Sequence, residues 1–433
     1  MSKRNHEPAL SGFGEHSMAS SPSTAGTSAA KRPIAPEIII LAGCLIALIS
    51  FGPRAASGLF LLPMSADYGW SREVFSLALA IQNLLWGIGS PFAGAIADRF
   101  GIVRVFFAGT ILYILGLALM TQASTPGMLN LSAGVMIGFA LSGCSFNLVL
   151  GAFGKLLPDR WKPMAFGAGT AAGSFGQFLF PPLGHLFIES FGWQTALLIF
   201  AGSLLPILPL SMALATRGQG TSAGGGTASV PGQSVRQALG EAFRHPSYVL
   251  LVLGFFTCGF QLAFVTVHLP AYLADVGLAA WVGGWTLAAI GLANVVGSLT
   301  SGYLSTRMPK RWLLSLIYVA RSVVTVAFIM LPASPASAIT FGVLTGLLWL
   351  STVPPTSALV LLMFGSRYMA MLYGFAFFSH QVGGFLGVWL GGVLYESYGS
   401  YTIVWWLSVA LGVASAVINL PIKERAVARP QPA

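Results

Sequence analysis

Charge is what this sequence has least of. Only 8% of its 433 residues are Asp, Glu, Lys or Arg, against about 25% in soluble domains. With 55% hydrophobic residues and a mean hydropathy of +0.78, this excludes an ordinary soluble globular chain. Cysteine is scarce too. Cys44, Cys144 and Cys258 all fall inside long apolar runs, which excludes a disulfide framework and leaves them as small packing residues. No Gly-rich loop ending in Lys-Ser or Lys-Thr is present, so ATP is not the expected energy source. No nucleophile–base set and no metal-ligand spacing occurs, so neither an enzyme nor a cofactor is expected. Acid is scarcer than base, with 12 Asp and Glu against 22 Lys and Arg, and no acid lies in an apolar run.

What is there is hydrocarbon. Twelve apolar stretches are long enough to cross a membrane core of about 30 Å. They cover 38–63, 74–97, 105–124, 127–153, 163–188 and 194–214, then 247–273, 280–304, 312–332, 336–363, 368–394 and 401–421. The fold class expected is therefore an all-α membrane protein of twelve helices. The 52 glycines suit close packing of such helices. The net charge of +10 does not point to nucleic acid. With the N-terminus in the cytoplasm, 19 basic residues fall on the cytoplasmic side and Arg72 alone outside, which is the positive-inside bias. Both termini are thus expected in the cytoplasm, in an inner membrane whose lipid is the surrounding partner. Residues 1–37, rich in Ser, Ala, Gly and Pro, read as a disordered cytoplasmic segment.

The second half repeats the first. Leu62-Pro63 returns as Leu269-Pro270, and Glu189-Ser190-Phe191-Gly192 as Glu396-Ser397-Tyr398-Gly399, each 207 positions on. The reading is a six-helix bundle over 38–214, a flexible Gly/Ser/Thr-rich linker over 215–246, a second bundle over 247–422 and a cytoplasmic tail over 423–433. Parallel repeats of this kind place a binding site near the midplane, between the halves.

Gly94-Ala95-Ile96-Ala97-Asp98-Arg99-Phe100-Gly101-Ile102-Val103-Arg104 resembles the loop motif of the major facilitator superfamily, G-x-x-x-D-R-x-G-R-[RK], with Ile102 and Val103 in place of the basic pair. The resemblance covers about 38–422 and implies alternating access, in which the two halves rock about a central site. Asp98, with Arg99 and Arg104 as partners, would latch the cytoplasmic side; a solvated loop ion pair is the plainer alternative. Arg54 with Gly58-Leu59-Phe60-Leu61-Leu62-Pro63, then Gly69-Trp70-Ser71-Arg72, is similar to bacterial members of the monocarboxylate porter and oxalate/formate antiporter group. So is Ala165-Phe166-Gly167-Ala168-Gly169-Thr170-Ala171-Ala172-Gly173. The charged pair that monocarboxylate porters carry in the eighth helix is missing from 280–304, and His380-Gln381 stands where the antiporter has a lysine.

Two cations, Arg54 and Arg321, lie inside apolar runs without an acid. A charge at membrane depth costs roughly 2.5–3.5 kcal/mol, so each is a candidate for function. Arg54, beside Gly52-Pro53 and with Ser50, Ser57 and Gly58 on its face, is the candidate anion site. The repeat places Gln261 opposite, in a stripe with Thr257, Phe264 and His268 expected to face the same cavity. His268 and His380 are candidates for cargo or proton contact. Gln381, Gln177, Ser174 and Asn147 can donate further hydrogen bonds, although polar side chains also bind membrane helices to one another. His185 reads as interfacial, and Trp349 with Pro354-Pro355 as a bend with an aromatic wall. Arg321 is expected to reach backbone carbonyls or a polar side chain, and to couple movement to binding. The function expected is secondary transport of a small organic anion, a mono- or dicarboxylate, by a monomer. Proton symport, exchange and uniport all stay open, as do export of another small molecule and a non-transporting sensor.

Overall fold

The computed structural model describes residues 35–215, 234–365 and 368–427, without the side chains of Asp98, Asn147, Pro163, Val235 and Ala370. Expectations for residues 1–34 therefore lie outside the described residues. The first bundle contains α1 (Pro36–Tyr68), α2 (Arg72–Phe100), α3 (Ile102–Met120), α4 (Pro126–Leu156), α5 (162–191) and α6 (193–213). Then α7 (Val235–Arg244) precedes the second bundle. That bundle contains α8 (Pro246–Asp275), α9 (Ala280–Arg307), α10 (Lys310–Met330), α11 (Pro335–Phe364), α12 (Met369–Tyr398) and α13 (Thr402–Asn419). Only α5 and α6 run together, and Gly192 separates them at φ 80 and ψ 162, a conformation that L side chains rarely adopt. Apart from α7, the helices among the described residues number twelve and match the twelve apolar stretches.

The stretch expected to be a flexible linker is partly helical. Ser234 and Gln237 form a reciprocal capping box that starts α7, and Ala238 and Ala242 turn inward from it. Ala242 packs with Tyr248, Leu359 and Met363 of the second bundle.

Four membrane helices are interrupted where the sequence loosens them, α6 at the turn over 204–206 that contains Pro206. In α1, Pro53 lacks an N–H to give, and the chain passes through a 3-10 turn at Ser57–Phe60 just after Arg54. α4 runs through a π-helical stretch, Asn130–Met136, and breaks at Cys144 and Ser145. α11 breaks between Leu348 and Val353. Ser145 and Thr352 are repeat mates 207 positions apart, so both bundles carry the same interruption.

Small residues let the helices meet at backbone distance. A methyl group on Gly383 would overlap the Phe256 carbonyl between α12 and α8, and one on Gly297 the Leu347 carbonyl between α9 and α11. The outward faces are apolar, with Leu253, Val296, Leu316, Val323 and Val417 more than half exposed, as a hydrocarbon surround requires. We expect Gly383→Val to cost about 1–3 kcal/mol by overpacking. It should melt several degrees below wild type in detergent, whereas Gly94→Ala, whose methyl meets nothing within 4 Å, should leave the melting temperature unchanged.

Candidate functional site

A cavity of about 480 Å³ lies between the bundles. It starts at Arg54 and Thr266, in the middle of α1 and in α8. It runs to Phe166, Leu299, Ser357 and Tyr373, on the turns nearest the basic loops. The wall is largely apolar and aromatic, with Phe51, Trp86, Phe146, Phe255, Trp349 and Phe377. Arg54, Asn83, Gln177, His380 and Gln381 supply the main polar groups, and no Asp or Glu lines it among the described residues.

Arg54 is held by α2. Its Nη1 donates to Gln82 Oε1 at 2.7 Å and its Nη2 to Asn83 Oδ1 at 2.6 Å. Gln82 in turn donates to the Ala133 carbonyl and Asn83 to the Leu79 carbonyl, each at 2.8 Å, so both amides are fixed. The guanidinium lies 4.9 Å from the Trp86 ring centroid. These contacts orient the fork and leave its charge uncancelled. Of the roughly five N–H donors of a guanidinium, two are engaged by neutral oxygens, and others remain for a ligand.

Across the cavity, Gln381 Nε2 donates to the Asn83 carbonyl at 3.2 Å. A backbone carbonyl only accepts, so this bond sets the orientation of the Gln381 amide and makes its Oε1 the partner of His380 Nδ1, at 2.9 Å. His380 Nδ1 therefore carries the hydrogen, and Nε2 is the basic nitrogen. The His380 ring lies parallel to Phe377, 5.8 Å between centroids. A polar chain thus runs from Arg54 through Asn83 and Gln381 to His380, from one bundle to the other.

The stripe on α8 faces elsewhere. Gln261 donates to the Ser408 carbonyl at 3.0 Å, Thr257 accepts from Ser415 Oγ at 2.7 Å, and Phe264 packs on Trp405 at 4.8 Å. His268 is fully buried. Its Nε2 donates to the Val388 carbonyl at 2.8 Å, and Nδ1 accepts from Tyr401 Oη at 3.1 Å. The expectation that Gln261 and His268 face Arg54 is corrected, because the polar partners of this stripe sit on α13, at its start and, for His268, also at the Val388 carbonyl of α12. The cavity wall of α8 is instead Phe255, Leu262, Ala263 and Thr266. Arg321, 4% exposed, sits behind the cavity against the Leu348 and Trp349 carbonyls, with Gln261 Oε1 3.4 Å from Nη1. Ser174 accepts from Asn294 at 2.9 Å, a contact between α5 and α9, and His185 lies 3.5 Å from Glu189 near the end of α5. Arg99 and Arg104 are exposed, while the side chains of Asp98 and Asn147 lie outside the described residues.

The end of the molecule away from the basic loops is closed by contacts that sequence reasoning missed. Arg72, at the start of α2, makes a bidentate pair with Asp275 at the end of α8, 2.6 and 2.7 Å. It also donates to Tyr401 Oη at 3.1 Å and lies 3.8 Å from the Tyr395 ring centroid. Its backbone N–H, in the first turn of α2, donates to Glu396 Oε1 at 2.7 Å, where the helix dipole favours a carboxylate. Gly58 meets the Thr266 and Val267 carbonyls, and Gly392 meets Ser76. At the basic end, methyl groups placed on Gly94, Gly167 and Gly374 would meet nothing within 4 Å. The cavity runs toward that end, and the contacts around Arg72 close the other. The available signals were Arg72 as the lone base on its side, and the adjacent amides Gln82-Asn83.

Against known proteins, residues 43–388 and 284–433 match the family model described as Major Facilitator Superfamily. The chain is 25% identical over 371 residues to an uncharacterized MFS-type transporter, YcxA, of Bacillus subtilis, covering 83% of this chain and 88% of that one. It is 22% identical over 416 residues to monocarboxylate transporter 12-B of Danio rerio, covering 88% and 85%. Among solved structures it resembles a bacterial homologue of the human lysosomal transporter Spinster, described as inward-facing and unoccupied. That match has a TM-score of 0.69 at 16% identity and covers 89% of this chain and 94% of that one. A D-xylose–proton symporter matches with a TM-score of 0.68 at 14% identity, covering 90% and 98%.

The latch has a direct test. With Thr266→Cys as a reporter in a chain whose native cysteines are replaced by alanine, Arg72→Ala should speed labelling by an impermeant thiol reagent from the Arg72 side. About tenfold is expected, since hydrogen bonds to charged groups contribute about 1.5–3 kcal/mol. The double reversal Arg72→Asp with Asp275→Arg should restore slow labelling. Equal rates in Arg72→Ala and wild type would show that the pair does not hold this end shut.

Proposed function

Because this chain belongs to the major facilitator superfamily, we propose that it is a secondary transporter that carries a small organic anion, a mono- or dicarboxylate, by alternating access. The observation that carries this reading is the Arg54 guanidinium, oriented by two neutral amides on a cavity wall that no acid lines among the described residues. A carboxylate would complete its fork, since guanidinium and carboxylate match in a two-bond geometry. The single described cation on the wall and the aromatic surfaces of Trp86, Trp349 and Phe377 favour a monocarboxylate with an apolar body over a dicarboxylate. Relatives named as monocarboxylate transporters support the same class. The absence of a wall carboxylate among the described residues disfavours cationic drugs, which need an acid to hold them.

In this reading the basic loops face the cytoplasm of a bacterial inner membrane, and the conformation described is open to the cytoplasm. The Arg72 latch closes the outer side. Outward opening would separate Arg72 from Asp275, and the Asp98 loop would close the inner side in turn. His380 is the histidine on the cavity wall, in hydrogen-bonded series with Arg54, so it is the candidate proton carrier; His268 belongs to the closed outer end.

In proteoliposomes, Arg54→Ala should reduce uptake of labelled small monocarboxylates at least a hundredfold, since a lost charge-assisted contact made to the moving substrate is worth about 3 kcal/mol. Arg54→Lys should retain part of it. Wild-type uptake by Arg54→Ala, in a variant that melts normally, would remove this site. For coupling, an inward proton gradient should accelerate uptake and His380→Gln should abolish the acceleration; rates indifferent to the gradient in wild type would exclude proton symport.

A further inference from the structure

The second membrane arginine does not line the cavity. Arg321 projects from α10 toward the interruption of α11, where Leu348 and Trp349 have carbonyls that no helical N–H completes. Nε donates to the Leu348 carbonyl at 3.1 Å, and Nη2 donates to the Leu348 and Trp349 carbonyls at 2.5 Å each. From α9, Asn294 Oδ1 accepts the Leu350 N–H at 3.0 Å, and Ser301 donates to the Ser351 carbonyl. Asn294 is itself fully buried and fixed by Ser174. The broken backbone is therefore tied from two neighbouring helices at successive residues.

The other face of the same backbone borders the cavity. Trp349 and Leu350 line the large cavity, opposite the α2 wall that holds Arg54. Behind Trp349 lies a separate void of about 20 Å³, bordered by Arg321, Thr325 and Thr345, close to the volume of one water. The indole is thus a partition between the substrate cavity and the arginine's compartment. Two turn bonds remain along this stretch, from the Trp349 N–H to the Gly346 carbonyl and from the Val353 N–H to the Leu350 carbonyl, each at 3.0 Å. The tethers engage the groups those bonds leave open, the Leu348, Trp349 and Ser351 carbonyls and the Leu350 N–H.

We propose that Arg321 is a positioning residue that sets the bulk of the anion the cavity admits, by clamping the interrupted backbone of α11 so that Trp349 stands as a fixed wall. The clamp is a property of the fold; its consequence for cargo rests on the anion reading above. Weakening the clamp frees the Leu348–Ser351 backbone to shift, and the wall that Trp349 forms then yields to bulkier acids. Asn294 holds the neighbouring peptide and acts on the same wall.

The test uses two arms. In the full-length chain with its native cysteines replaced by alanine, Leu350→Cys reports access to the wall by its alkylation rate from the basic side. Arg321→Lys keeps the charge but cannot span both carbonyls as a fork, and should raise that rate roughly threefold or more through local opening. Asn294→Ala should do the same, and decides the matter if Arg321→Lys does not fold. In proteoliposomes the ratio of phenylacetate to acetate uptake should rise roughly tenfold in either variant, the scale on which pocket fit discriminates apolar groups. Alkylation unchanged in the folded variants would overturn the clamp. Faster alkylation with an unchanged uptake ratio would overturn the role in selecting cargo. Wild-type protein that moves neither acid would defeat the anion reading and the cargo half with it, while the alkylation arm would still judge the clamp.

Discussion

A positive charge inside hydrocarbon must find oxygen, and the two membrane arginines of this chain find it without a carboxylate. Arg54 takes two side-chain amides; Arg321 takes backbone carbonyls freed by a broken helix. The difference decides what each can do. Amide oxygens orient a guanidinium without saturating its fork, and the Arg54 site opens on a cavity, so its charge is available to a guest. Carbonyls at a helix interruption need donors of their own, so Arg321 is committed to the protein. The rest of the architecture follows the same demand, since interrupted helices are tolerated in a membrane only where protein or a cavity satisfies the freed groups.

Closure is asymmetric. At one end an ion pair, an aromatic surface and a carboxylate at the first turn of α2 join the bundles. Toward the other, the cavity extends to Phe166, Leu299, Ser357 and Tyr373. The joined end also contains a relay in which Arg72 donates to Tyr401, Tyr401 to His268 and His268 to the Val388 carbonyl. His268 thereby belongs to the seam that closes the molecule. Gln381 provides a lighter contact at mid-depth, through the Asn83 carbonyl, and links the halves beside the candidate anion site.

The sequence reading succeeded where the rule was chemical and failed where it was geometric. Twelve apolar stretches and two halves could be read from hydropathy and from the repeat, and Arg54 and Arg321 stood out together as cations in apolar runs. The opposition of Gln261 to Arg54 was inferred from the same repeat and does not hold. Mates in sequence need not share a facing direction once polar side chains on α8 find better partners, Ser408, Ser415 and Tyr401, on the last helix and its approach. The α7 helix was hidden in a stretch read as linker, although Ser234 and Gln237 stand at capping-box spacing.

By itself, then, the order of residues determined that this chain lives in a membrane, that it is doubled, and that it carries uncompensated cations, because these follow from the cost of placing polar groups in hydrocarbon. Only the tertiary structure decided which cation meets the cavity, which histidine lies on its wall, and which end is shut. Those outcomes depend on the rotation of each helix about its axis, and that rotation is settled by contacts between residues hundreds of positions apart, such as Arg72 with Glu396 and Asn83 with Gln381.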